Sequence, residues 1–206
     1  MKIEPGIVGA FFTGVVGPLV VVFIKEYLEK RKLHKKDPVA ESLKTNILVD
    51  NKVNEILEEY GADRVWITQF HNGGHFYPTG RSIHKFSMFY ENVAPGTTSI
   101  KDYFQNIPVS LFSKSVNQLL EEDVIEIVDF KDETIATYGL KYVADEYSCK
   151  SGYLFAIKSI DNKFLGVLGI DYTKKRKSLT HDEVSDIRVE VTSIGGVIMN
   201  HLQTHH

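Results

Sequence analysis

Nineteen consecutive residues, Gly6 to Ile24 in "GIVGAFFTGVVGPLVVVFI", carry no charge and a single hydroxyl, that of Thr13. A helix of that length, rising about 1.5 Å per residue, nearly crosses the ~30 Å hydrocarbon core of a bilayer. A buried core helix would show a polar face. A cleaved signal peptide would start on basic residues and end on a small-x-small site, yet only Lys2 precedes the run and Lys25-Glu26-Tyr27 follows it. The run therefore predicts a retained transmembrane helix, and any folded body has to be built from the residues C-terminal to it.

The flanks set the orientation. Lys25, Lys30, Arg31, Lys32, Lys35 and Lys36 crowd the C-terminal side of the run, so the positive-inside rule predicts a single-pass protein of the inner (plasma) membrane with its C-terminal domain in the cytoplasm. Anionic headgroups would attract the same cluster, making membrane lipid an expected partner. Cys149 is the only cysteine, which excludes an internal disulfide and a cysteine-rich metal site and suits a reducing compartment. A net charge of -3 shows no excess of basic residues, so no nucleic-acid partner is expected. Gly6, Ala10 and Gly14 recur every four residues, a spacing that lets two membrane helices approach closely. The expected division is an anchor over 1–25, a basic juxtamembrane linker over 26–37 and a cytoplasmic domain over 38–206.

In the cytoplasmic part, Val39, Leu43, Ile47, Val53, Ile56, Leu57 and Tyr60 lie along one stripe that stops at Gly61, predicting an amphipathic helix. "RVWITQF" and "HKFSMFYEN" read as two strands of a hairpin. "VSLFSKSVNQLLEED" reads as a helix, "VIEIVDF" as an acidic edge strand, and residues 134–147 as a short helix. "GYLFAIKSI" and "KFLGVLGIDYT" form a second hairpin across Asp161-Asn162. In the closing segment, Thr180 and Glu183 make a capping box. Val184, Ile187, Val191, Ile194 and Ile198 then form a seam that suits either packing on the sheet or pairing across a dimer. The basic run "KKRK", Lys174 to Lys177, reads as a solvated turn.

The loop "TQFHNGGHFYPTG", Thr68 to Gly80, concentrates histidines, glycines and aromatics between the first two strands. One reading makes His71, His75 and His84 metal ligands, but Asn72-Gly73-Gly74 breaks the extended chain that would align the first two, and no carboxylate is placed nearby. Another makes the loop only a tight turn with Asn72 and Gly73 in left-handed conformations.

The order of elements, with "FLGVLGIDYT" ahead of "LTHDEVSDI", resembles the GAF domain family over about residues 37–202. The resemblance implies an α+β fold, a GAF-like antiparallel sheet flanked by helices, behind the one N-terminal transmembrane helix. It also implies a ligand pocket under loops and dimerisation through the first and last helices. In that setting the loop would cover the pocket. Ligand-binding positions would be His71, Asn72, Gly73, His75 and His84 above a floor that includes Met88, Tyr153 and Phe155 as well as Phe70. Subfamily marks are incomplete. Asn162-Lys163 and Asp182-Glu183 match the cyclic-nucleotide pattern, but Ser178 stands where that pattern has phenylalanine. Cys149 lacks the cysteine-histidine pair of bilin attachment, and a methionine sulfoxide reductase needs several cysteines.

Anchor and GAF-like domain are expected to use the whole chain, so a signal would leave through association. The expectation is a sensory or scaffolding module that binds a small ligand or a partner protein and acts as a homo-oligomer. It would not be an enzyme, since no nucleophile with a positioned base can be named. The alternative is a membrane-active oligomer, such as a phage holin-like or exclusion factor. Neither a cofactor nor a metal is assigned.

Overall fold

The computed structural model describes residues 14, 16–33, 37–75, 82–132 and 138–204. Two long apolar hairpins make its centre. β1 (Arg64–His75) and β2 (Ser82–Val93) form the first, and β5 (Ser151–Lys158) and β6 (Phe164–Tyr172) the second. The hairpins join where β1 runs antiparallel to β6, and the short strands β3 (Ile107–Pro108) and β4 (Val124–Ile127) close the edges, so the six-stranded order is β3-β2-β1-β6-β5-β4. Every neighbouring pair is antiparallel.

Alternation along the strands makes two apolar faces. On the first, Val65, Ile67, Tyr153, Phe155, Ile157, Leu168 and Ile170 pack against α2 (Pro38–Glu59) and the last helix, α5 (His181–Thr204). On the second, Leu154, Ala156 and Val167 pack with Trp66, Phe70 and Leu119 of α3 (Ser113–Glu122). That face is covered by the chain from Ala94 to Asn106, a 3-10 turn at Val109–Phe112, α3, and α4 (Tyr138–Glu146).

Helix ends follow their local chemistry. Asp37 caps α2, its carboxylate accepting from Val39 N at 2.9 Å with Pro38 in the first turn. Gly61 leaves the helix at a positive φ of 55°. The predicted capping box of α5 is formed: Thr180 N donates to Glu183 Oε2 at 2.7 Å and Glu183 N to Thr180 Oγ1 at 3.2 Å. Gly195 lets α5 lie against β5, since a Cβ there would sit 2.4 Å from Lys158 O.

Of the two readings of the α5 seam, packing on the sheet is the one observed: Ile187, Val191, Ile194 and Ile198 are buried in the first-face core. Other expectations need correction. The α2 stripe divides in two. Val49, Val53, Ile56, Leu57 and Tyr60 are buried, but Val39, Leu43 and Ile47 are exposed. The reason is helical phase. At about 100° per residue, Ser42, Thr45 and Asn46 lie on the sheet-facing side ahead of Val49, and Tyr90 OH donates to Asn46 Oδ1 there at 2.7 Å.

The "KKRK" run is the solvated turn expected, with Lys174, Lys175 and Arg176 exposed, and it is also tied down. Lys174 pairs with Asp63 at 3.1 Å, Arg176 with Asp129 at 2.5 Å, and Lys177 donates to Tyr60 O at 2.6 Å. Asn72-Gly73 does not end β1. The strand continues to His75, and the register steps from Asn72 opposite His84 to His75 opposite Ser82, so β1 carries one residue more than β2. The turn signal is spent on a bulge.

Among the described residues no helix is long and apolar enough to cross a membrane. Nine of the nineteen residues of Gly6–Ile24, 6–13 and 15, lie outside them. Its described end opens α1 (Gly17–Leu33), whose first half is apolar and whose second half, from Lys25, is charged.

Candidate functional site

The second face of the sheet does not close completely. Between it and its cover lies a cavity of about 70 Å³. Its floor is Trp66, Thr68 and Phe70 of β1, Phe86 and Met88 of β2, and Leu154 and Val167 of the second hairpin. The roof comes from four directions: Ile100 and Phe104 from the 94–106 segment, Phe112 from the 3-10 turn, Val116 and Leu119 from α3, and Leu140 and Val143 from α4.

Polar groups hold the roof in place from outside. Glu91, on β2, accepts from Ile100 N at 2.8 Å and Lys101 N at 3.1 Å, and also from Ser99 Oγ. Met88 N donates to Phe104 O at 2.8 Å, and Gln105 Nε2 donates to Met88 O at 2.9 Å. These bonds fold the segment back over the strand that carries Met88. Ile100 and Phe104 are thereby turned into the cavity.

One end of the cavity is a buried ion pair. Arg64, the first residue of β1, has no exposed surface, and its Nε donates to Asp171 Oδ2 at 2.8 Å. The same oxygen accepts from Trp66 Nε1 at 3.0 Å. Arg64 spends its other nitrogens on Thr98 O at 2.9 Å and Cys149 Sγ at 3.1 Å. Burial alone would lower the Arg64 pKa, but the Asp171 carboxylate outweighs it and holds the guanidinium above its ordinary value. Burial pushes the Cys149 thiol up, Asp171 adds to that, and the adjacent Arg64 does not offset them. A thiol in that setting stays protonated and is a poor nucleophile.

Trp66 fixes the wall between ion pair and cavity. Its indole lies across Gly169 of β6, where a Cβ would come within 2.1 Å of the ring. The second glycine of "GVLGID" is therefore the seat of the tryptophan.

The residues expected to form the site are distributed differently. Met88 lines the cavity. Tyr153 and Phe155 do not: their positions on β5 face α2 and α5, and the alternate residues Leu154 and Ala156 face the second side. Tyr153 is instead a buried connector, donating from its hydroxyl to Glu126 Oε1 at 2.6 Å and accepting from Leu179 N at 2.8 Å. His71 sits on the first face, with Nε2 2.9 Å from Ser87 Oγ, which also accepts from Asn106 N at 2.8 Å. It borders a separate groove with Ser42, Thr45, Asn46, Phe89 and Tyr90. Asn72 pairs across from His84, and Gly73 falls in the bulge. The side chains of Asn72, His75 and His84 lie outside the described residues. Among the described residues no three metal-ligating side chains cluster.

Arg64, Trp66 and Asp171 were not singled out by sequence reasoning, although a signal existed. Each of the strands "RVWITQF" and "GVLGIDYT" contains one charge in an otherwise uncharged run, and the charges are opposite.

No family model matches the sequence, and no curated protein is similar to it. Solved structures are similar in fold. The phycocyanobilin-bound GAF domain of a cyanobacterial phytochrome superposes with a TM-score of 0.62 at 19% identity, over 85% of this chain and 95% of that one. The blue-light absorbing form of the Thermosynechococcus elongatus PixJ GAF domain does so with a TM-score of 0.61 at 14% identity, over 76% and 85%. A far-red cyanobacteriochrome photoreceptor covers 92% of this chain and 99% of its own, with a TM-score of 0.60 and 13% identity. The chain has the GAF fold. At these identities the likeness extends to the architecture, an antiparallel sheet with helices on one side and a loop-and-helix cover on the other.

Proposed function

We propose that this GAF-fold chain is a membrane-anchored sensory module that binds a small ligand in the cavity on the second face of its sheet and acts as a homo-oligomer, without an enzymatic step. The observation that carries the reading is the cavity itself. It lies between the sheet and its cover in a GAF fold, and one structure of similar fold is a GAF domain with phycocyanobilin bound.

Anchoring is supported by α1 together with the run before it. Leu19 to Ile24 present apolar side chains outward, and the charged half of the helix follows at once. Oligomerisation is supported by the exposed row Val39, Leu43 and Ile47, a four-residue spacing on one side of α2. The module would be cytoplasmic over 38–206, held by a basic linker over 26–37 and an anchor over 1–25.

Cross-linking of the full chain in native membranes tests this. Expected are sedimentation with the membrane fraction, resistance to carbonate extraction, and dimers that Leu43→Asp with Ile47→Asp abolishes. A carbonate-soluble chain would remove the anchor, and a monomer unaffected by the double substitution would remove the oligomer.

A further inference from the structure

We propose that the ligand of this cavity is a small, uncharged, apolar molecule, of the size of a dissolved gas or a short alkyl group, and not a tetrapyrrole, nucleotide or other polar metabolite. The inference rests on the ligand-binding reading above and names the class that the site accepts.

The polar side chains that border the space already have partners. Asp171 is held by Arg64 and Trp66, and the Trp66 N–H is spent on that carboxylate. The Cys149 sulfur faces Arg64 Nη2, and Thr68 Oγ1 donates to Val167 O at 3.5 Å. Ser115 is also engaged. Among the described residues, the only buried side-chain nitrogen or oxygen without a partner is Thr97 Oγ1, and Thr97 is not part of the lining. A polar ligand needs donors or acceptors that become satisfied only when it binds. Among the described residues no buried side-chain nitrogen or oxygen of this lining is left without a partner, and a charged ligand entering it would be desolvated without compensation.

The space is also small. Sites for drug-sized ligands run to ~300–1,000 Å³, whereas about 70 Å³ is available here. A dry apolar cavity of about 150 Å³ accepts benzene or xenon, and liquid water occupies about 30 Å³ per molecule. The space therefore suits a single small apolar group. Its walls are aromatic rings, aliphatic side chains and the thioether of Met88, which attract such a group by dispersion.

A pigment fixed through a thiol needs a reactive sulfur. Cys149 is the only cysteine in the sequence, and it is buried against Arg64 with its thiol pushed up by burial.

The test is methyl NMR of the full chain in lipid nanodiscs, titrated separately with xenon, cyclic GMP and phycocyanobilin. Ala144→Leu, which fills the space from α4, is the matched variant. Expected is a saturable xenon response confined to the methyls of Met88, Leu119, Val143, Leu154 and Val167, weakened about tenfold or more in Ala144→Leu, with none of these methyls moved by the two polar probes. Should cyclic GMP or the bilin move those methyls while xenon does not, the apolar class is overturned and the ligand site stands. If none of the three probes moves them, the site reading falls together with this inference. A xenon response that survives Ala144→Leu unchanged would place the gas elsewhere and overturn the proposal.

Discussion

Replacing Asp171 by leucine should destabilise the protein far more than replacing Asp171 and Arg64 together. Arg64 has no exposed surface, and among the described residues Asp171 is its one charged partner within hydrogen-bonding distance, at 2.8 Å. In Asp171→Leu the guanidinium keeps only the neutral acceptors Thr98 O and Cys149 Sγ. Breaking a buried pair from one side costs about 3–5 kcal/mol, because a charge stays desolvated without compensation. The Trp66 N–H also loses its acceptor. Against a total stability of about 5–15 kcal/mol, the single variant should be marginal. Arg64→Met with Asp171→Leu removes both charges and keeps comparable apolar volume, an exchange that is often close to neutral in buried pairs. The assay is urea denaturation followed by far-UV circular dichroism, with fluorescence as a local probe, because Trp66 is the only tryptophan and lies in the pair. The cycle should return a coupling of about 2–4 kcal/mol. A loss under about 1 kcal/mol in Asp171→Leu, or a double variant as unstable as the sum of its singles, would refute the claim that burial makes this pair costly to break.

Other outcomes can be worked from particular contacts. Gly169→Ala places a Cβ 2.1 Å from the Trp66 ring and should cost about 1–3 kcal/mol with a shifted tryptophan emission. Gly196→Ala, with nothing within 4 Å of its Cβ, should instead gain up to about 1 kcal/mol from helix propensity. Burial works to raise the Asp63 pKa, but the N–H groups of Lys174 and Thr173 and the Lys174 ammonium outweigh it and hold the carboxyl below its usual value. A lowered folded-state pKa contributes stability above the unfolded value near 3.9, and that contribution is lost as pH falls through the lower folded value. Acid titration of stability should therefore be shallower below about pH 4 in Asp63→Asn than in the parent chain. Cys149 should resist iodoacetamide at about pH 8 in the folded protein and react only on unfolding, so alkylation followed by mass spectrometry should track the denaturation curve.

The strands were legible because each carries a two-residue alternation or a run of apolar β-formers, and both hairpins fall where those patterns lie. The capping box at Thr180 was legible for a similar reason, since it depends on residues only three apart. The fate of the α2 stripe was not. Val39, Leu43 and Ile47 are as apolar as Val53 and Ile56, but at about 100° per residue they lie off the side that Asn46 shares with Val49, and only the position of the sheet decides which side is buried. Likewise the α5 seam suits sheet or dimer equally, and the choice is made by Gly195, which lets the helix approach within reach of β5.

The site was less legible than the fold because it is assembled from residues far apart in sequence, with parity deciding who takes part. Composition favoured the histidine loop and the aromatic strand "GYLFAIK", but Tyr153 and Phe155 have the wrong parity to meet Met88. Leu154 and Ala156 on β5 share the second face with Phe86 and Met88 of β2, and the odd positions Tyr153 and Phe155 do not. The roof comes from a middle segment whose periodicity is weak, folded down by the single carboxylate of Glu91. Tyr153 nonetheless matters to the same machinery from the other side. Its hydroxyl joins Glu126 on the edge strand to Leu179 N, one residue before the Thr180 cap of α5. The strand that carries Leu154 into the lining therefore also carries Tyr153 into the link with the start of the last helix.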